Sequence, residues 1–136
     1  MGSLRKHLSR LFLGLIPLLQ ATPSCAQSPS TDPVYLFATC TGRFSALIEH
    51  QWLVSDPASD QTEHLRDAMV DLLEAALPAE RTVQAMAWRL EAKVAAAGLL
   101  HQVAFGRTPA YQTAAERQFA ALMANCRALL ANDDTA

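Results

Sequence analysis

The stretch Val34–Val54, VYLFATCTGRFSALIEHQWLV, decides the fold. Projected at 100° per residue, it places Phe37, Cys40, Phe44, Leu47, Ile48 and Gln51 on one stripe and Ala38, Gly42 and Ala46 on another. A helix that is apolar on two sides needs neighbours on two sides, so the rest of the chain is expected to fold back onto it. Asp32 and Pro33 give the start: a side-chain acceptor for orphan amides, then a residue whose missing N–H costs nothing in the first turn. The small residues at 38, 42 and 46 predict that one neighbour approaches closely.

Downstream, Ser55-Asp56-Pro57 repeats the punctuation of acceptor and proline, and a second helix is expected to begin between Pro57 and Asp60. Leu65, Ala68, Met69, Leu72 and Ala76 form its apolar stripe, with Glu63, Asp67, Asp71 and Glu74 opposite. Pro78 ends it, and the short link from Leu77 to Arg81 implies either antiparallel neighbours or one kinked helix, of which the hairpin is expected. The third helix, Glu80 to Phe105, carries two apolar rows roughly 160° apart. Val83, Met86, Ala87, Leu90, Val94, Ala97, His101 and Ala104 make the first, expected to face the core. Trp88, Ala92, Ala95, Leu99 and Val103 make the second, expected to stay partly uncovered as an interaction face. Gly106 is expected to close the helix in the left-handed conformation.

Thr108-Pro109 opens a last helix reaching about Ala131, with Tyr111, Ala115, Phe119, Leu122, Cys126 and Leu129 as its buried stripe. Residues 132–136 should fray. No internal repeat, low-complexity tract or convincing strand alternation interrupts this pattern. The expected fold is therefore all-α, an antiparallel up-down-up-down four-helix bundle forming one domain over residues 33–131.

Upstream, MGSLRKHLSR is basic through Arg5, Lys6 and Arg10, and LFLGLIPLL follows as a short apolar run. This is the pattern of a cleavable signal peptide, and the run is shorter than the ~20 residues that span a bilayer. Ser24 and Ala26 are the small residues that place the cut after Ala26, making residues 1–26 the leader and residues 27–32 a flexible lead-in. A lipoprotein anchored through Cys25 is disfavoured, because Ala21, Thr22, Pro23 and Ser24 lack the leucine-small-small approach. Gly2 is no myristoylation site either, since Lys6 stands where Ser or Thr is required. The expected destination is the periplasm or the medium. Cleavage removes three basic residues and no acid, taking the formal charge from −2 to about −5. A phosphate backbone needs a basic face, so nucleic acid is not expected as a partner, nor is a membrane after cleavage. Almost every remaining basic residue is Arg and Ala is abundant, which suggests a bacterium with a GC-rich genome.

Two cysteines survive cleavage, and an exported compartment favours their pairing. Cys40 lies about 10 Å into the first helix and Cys126 about 8 Å from the end of the last, at ~1.5 Å per residue. In an antiparallel arrangement these ends coincide, which predicts a Cys40–Cys126 disulfide. Weak metal candidates are His50, Asp60 and His64, of which Asp60 and His64 are four apart on one helix. No H-x-x-x-H or H-E-x-x-H supports them, and no metal or other cofactor is expected. The C-x-x-C-H of covalent haem attachment is absent, as are G-x-S-x-G and a glycine-rich phosphate loop. Arg43, Glu49, His50 and Trp52 form a polar cluster on the first helix, and Trp88, Arg89, Glu91 and Lys93 enrich the third; surface ion pairs explain most of these. The function expected is a non-enzymatic interaction or structural module that binds an unidentified protein or itself. A small-ligand or metal-binding bundle is the alternative, and a small periplasmic hydrolase the second.

Overall fold

Asp32 closes the amino-terminal turn of the first helix as its place before a proline requires. Its Oδ1 accepts from the Val34 amide at 3.1 Å, and Pro33 occupies the position where an N–H would lack a partner. This helix, α1, spans Pro33–Leu53 in a computed structural model that describes residues 31–133. The leader 1–26, Cys25, most of the lead-in 27–32 and residues 134–136 of the tail lie outside the described residues. Three more helices follow: α2, Ser59–Ala76; α3, Thr82–Phe105, entered through a 3-10 turn at Ala79–Arg81; and α4, Pro109–Asp133. The described chain is all-helical.

The turns use the punctuation legible in the sequence, with one difference. Ser55 carries the positive φ, 55°, after α1, and Asp56 Oδ1 accepts from the Ala58 amide at 2.9 Å as α2 begins. Thr108 Oγ1 accepts from the Tyr111 amide at 3.4 Å to open α4. Gly106, expected to be left-handed, has φ −57°. Its glycine is needed for a different reason: a Cβ there would lie 2.5 Å from the Gln102 carbonyl oxygen that accepts the Gly106 amide.

α1 is the centre. Phe44 and Cys40 pack with Met69 of α2 and with Met123 and Cys126 of α4, while Val34 and Ala38 pack with Leu73 of α2 and Ala85 of α3. Asp32 meets Arg81, Gly42 meets Arg89 and Lys93, and Glu49 meets Lys93, so α1 and α3 run side by side in the same direction. In a square bundle with short turns these two helices would lie across a diagonal. Here they are the closest pair, and α2 and α3 make no close backbone approach to each other. A groove runs between them, and Ser45, Ile48, Glu49 and Trp52 of α1 line part of it.

This closeness reverses the expected sides of α3. Trp88, Ala92, Leu99 and Val103 are buried or half-buried, and of that row only Ala95 is exposed. Val83, Met86, Ala87, Leu90, Val94, Ala97, His101 and Ala104, expected to be core, are all exposed. The side turned to α1 also carries Ala85 and Ala96, whose small side chains let two backbones come together. A row of valine, methionine and leucine would have held them apart. Among the described residues of α4 those buried are Ala115, Met123 and Cys126, whereas Tyr111, expected in the stripe, is exposed beside Phe105.

Cys40 and Cys126 form the expected disulfide, with Cα atoms 5.5 Å apart and a sequence separation of 86. Closing a loop of this length stabilises the folded state by about 4 to 5 kcal/mol in the chain-entropy account, so replacing both cysteines with alanine should lower the urea-unfolding free energy by that order. Two glycine substitutions should have opposite signs. An alanine Cβ at Gly42 would lie 2.1 Å from the Arg89 carbonyl oxygen, so Gly42→Ala is expected to cost about 1 to 3 kcal/mol. Gly98 has nothing within 4 Å, and Gly98→Ala should gain up to about 1 kcal/mol of helix propensity. Thermal melts of the oxidised variants check both; a raised melting temperature for Gly42→Ala would contradict the α1–α3 approach.

Candidate functional site

Polar and aromatic side chains gather where α1 meets the start of α3. Arg81 leaves the 3-10 turn and reaches Asp32, donating from Nη1 to Oδ1 at 3.2 Å and from Nη2 to Oδ2. The same guanidinium stands 5.3 Å from the centroid of the Trp88 ring. Tyr35 meets Trp88 edge-on, with centroids 5.1 Å apart and planes at 87°. Hydrogen bonds from Arg81 hold the Asp32 carboxyl below the usual carboxylate range against its burial, and Asp32 in turn raises the Arg81 guanidinium.

Two turns along α1, Arg43 has a different environment. It is half-buried, and its Nη1 points at the disulfide, 3.6 Å from Cys126 Sγ and 3.9 Å from Cys40 Sγ. Sulfur is a weak acceptor, and among the described residues no carboxylate pairs with this guanidinium. Burial pushes its pKa below the ordinary arginine value. Arg43 lines a cavity of about 230 Å³ with Tyr35, Thr39, Trp88, Glu91 and Ala92.

The polar cluster expected on α1 is divided rather than gathered. Arg43 belongs to this cavity. Glu49 accepts from Lys93 Nζ at 2.5 Å, an exposed ion pair of small net worth. Trp52 is exposed at the groove between α2 and α3, which Arg66, Arg89 and Lys93 also line. His50 lines a third hollow with Leu53, Ala97 and His101. The metal candidates do not converge: Asp60 and His64 are exposed on α2, and among the described residues no three His, Cys, Asp or Glu side chains are placed to hold an ion.

The pairing of Asp32 with Arg81, 49 residues away, has no local sequence signal, because Asp32 is fully explained as a helix cap. The separation of Arg43 from Glu49 and Trp52 follows from helix geometry, since 600° and 900° of turn along α1 point them to different sides, whereas His50, at 700°, shares the side of Arg43 but lies two turns further along.

The depressed Asp32 pKa sets a pH dependence. A carboxylate whose folded pKa lies below its unfolded value contributes stability that is complete above the unfolded value, ~3.9, and is lost as pH falls through the folded one. Arg81→Met should therefore flatten the stability profile below pH ~4 while leaving its slope near neutrality unchanged, as read by urea unfolding across that range. No family model matches this chain, and neither a curated protein nor a solved structure is significantly similar to it.

Proposed function

We propose that the chain is an exported, non-enzymatic interaction module. Residues 1–26 direct it to the periplasm or the medium and are removed after Ala26, and an up-down-up-down bundle then docks through α3. The observation that carries this reading is the apolar row left uncovered on α3: Val83, Met86, Leu90 and Val94 are 84%, 60%, 61% and 64% exposed. Contiguous apolar surface of this kind marks contact with another protein. The spacing supports a helical partner. Val83, Met86 and Leu90 recur eleven residues later as Val94, Ala97 and His101, a period that keeps one stripe on one side of a nearly straight helix. The stripe covers about 27 Å at ~1.5 Å per residue and continues into exposed Phe105 and Tyr111 at the turn into α4. A disulfide within the bundle fits an oxidising compartment.

The occupant is a helix of another exported protein or the same row of a second copy. Leu90→Glu puts a charge on the stripe without opening a cavity, so it should change folding stability by less than about 0.5 kcal/mol. It should nevertheless abolish the contact, because a carboxylate cannot be buried unpaired. Sedimentation velocity of the oxidised protein, together with photocrosslinking in cells from position 94, reads the outcome. A wild-type protein that stays monomeric and crosslinks to nothing removed by Leu90→Glu would refute this reading.

A further inference from the structure

We propose that the cavity between α1 and α3 at Arg43 is a binding site for a small oxyanion, a carboxylate or phosphate group carried on a body that rests against Trp88. The first reason is an uncompensated charge. The Arg43 guanidinium is half-buried, yet its only protein acceptors among the described residues are the two disulfide sulfurs, both engaged from Nη1. Its Nε and Nη2 donors meet no acceptor there. Every other arginine near the α1–α3 contact has a countercharge or lies at the open groove: Arg81 is paired to Asp32, and Arg89 lines the groove with α2. A half-buried guanidinium whose Nε and Nη2 donors face an open cavity is matched by a planar or tetrahedral oxyanion, which accepts two such bonds at once.

The second reason is that the walls are fixed before any ligand arrives. Arg43 is one turn from Cys40, so the disulfide anchors the helix that carries it and fills the space on one side of its guanidinium. Trp88 is held by Arg81 near one face, 5.3 Å from its centroid, and by the Tyr35 ring at 5.1 Å. Tyr35 adds a hydroxyl to the cavity lining, and its about 230 Å³ leaves room beyond the anionic group itself. Little conformational freedom remains to be lost on binding, which is the condition under which a single charge-assisted contact gives measurable affinity. Glu91 on the rim disfavours ligands that carry a second negative charge on that side.

This site is independent of the α3 stripe, which faces the other way. The test uses the full-length exported, oxidised protein with Trp52→Phe, which leaves Trp88 as the sole indole reporter. Sodium acetate and sodium phosphate are titrated separately, with sodium chloride at matched ionic strength as reference, following the Trp88 indole and Arg43 Nε–H signals by NMR. The expected result is a saturable shift of both signals in the millimolar range that chloride does not reproduce. Arg43→Met, which keeps the aliphatic stem, should weaken it about tenfold or more, and Arg43→Lys should retain part of it. Saturation by acetate alone assigns a carboxylate ligand, by phosphate alone a phosphate ligand, and by both a site for either group. A linear response to both anions overturns the proposal, as does a response that persists in folded Arg43→Met. Should Arg43→Met fail to fold, the Arg43 Nε–H signal of the otherwise unaltered protein decides: no saturable shift there means no site.

Discussion

Helix α1 can lie against α3 only because residue 42 has no side chain. The ideal Cβ position at Gly42 falls 2.1 Å from the Arg89 carbonyl oxygen and 3.0 Å from the Lys93 amide nitrogen, distances that only a hydrogen tolerates. From this approach the rest follows. Two parallel helices become nearest neighbours, α2 is left on the flank of α1, and a groove remains between α2 and α3. The same approach brings Tyr35 to Trp88 and Asp32 to Arg81, which builds the walls of the Arg43 cavity.

A contact of this kind exchanges side-chain bulk for proximity. α3 places Ala85, Ala92 and Ala96 together with Trp88, Leu99 and Leu100 on its inner side and leaves Val83, Met86, Leu90 and Val94 outside, so it is apolar on both sides, unlike an ordinary amphipathic helix. Among the described residues the largest fully buried side chains are Phe44, Ile48 and Met69. A small domain gains more from a covalent bond than a large one does, and Cys40–Cys126 joins the central helix to the last one where Phe44, Met69 and Met123 pack.

Much of the fold was legible in the sequence because its signals are local. Asp32-Pro33, Asp56-Pro57 and Thr108-Pro109 mark helix starts through hydrogen bonds and φ restriction within a few residues, and those starts are where they were expected. The disulfide was legible from the expected compartment and from helix lengths in an antiparallel arrangement. The sides of α3 were not, since both rows are apolar and 100° periodicity carries no information about which backbone comes nearer. The deciding feature was the size of Ala85 and Ala96 set against Gly42, a property of two helices together. The candidate site was legible only in part: Arg43 and Trp88 stood out individually, but the cavity between them depends on the parallel pairing of α1 and α3. Nothing in the residues around 32 indicates Arg81, because ion pairs across 49 residues leave no periodic trace.

The position of the disulfide also determines how the molecule would carry load. A tension applied at Thr31 and Asp133 enters α1 from one end and α4 from the other and meets at Cys40 and Cys126. Beyond that bond the force has a covalent path, so only the first two turns of α1 and the last two of α4 can be peeled away. Everything between residues 40 and 126, including α2, α3 and the contact at Gly42, stays slack. The protein would thus extend by a few unravelled turns and then stiffen abruptly, behaving as a short tether with a hard stop.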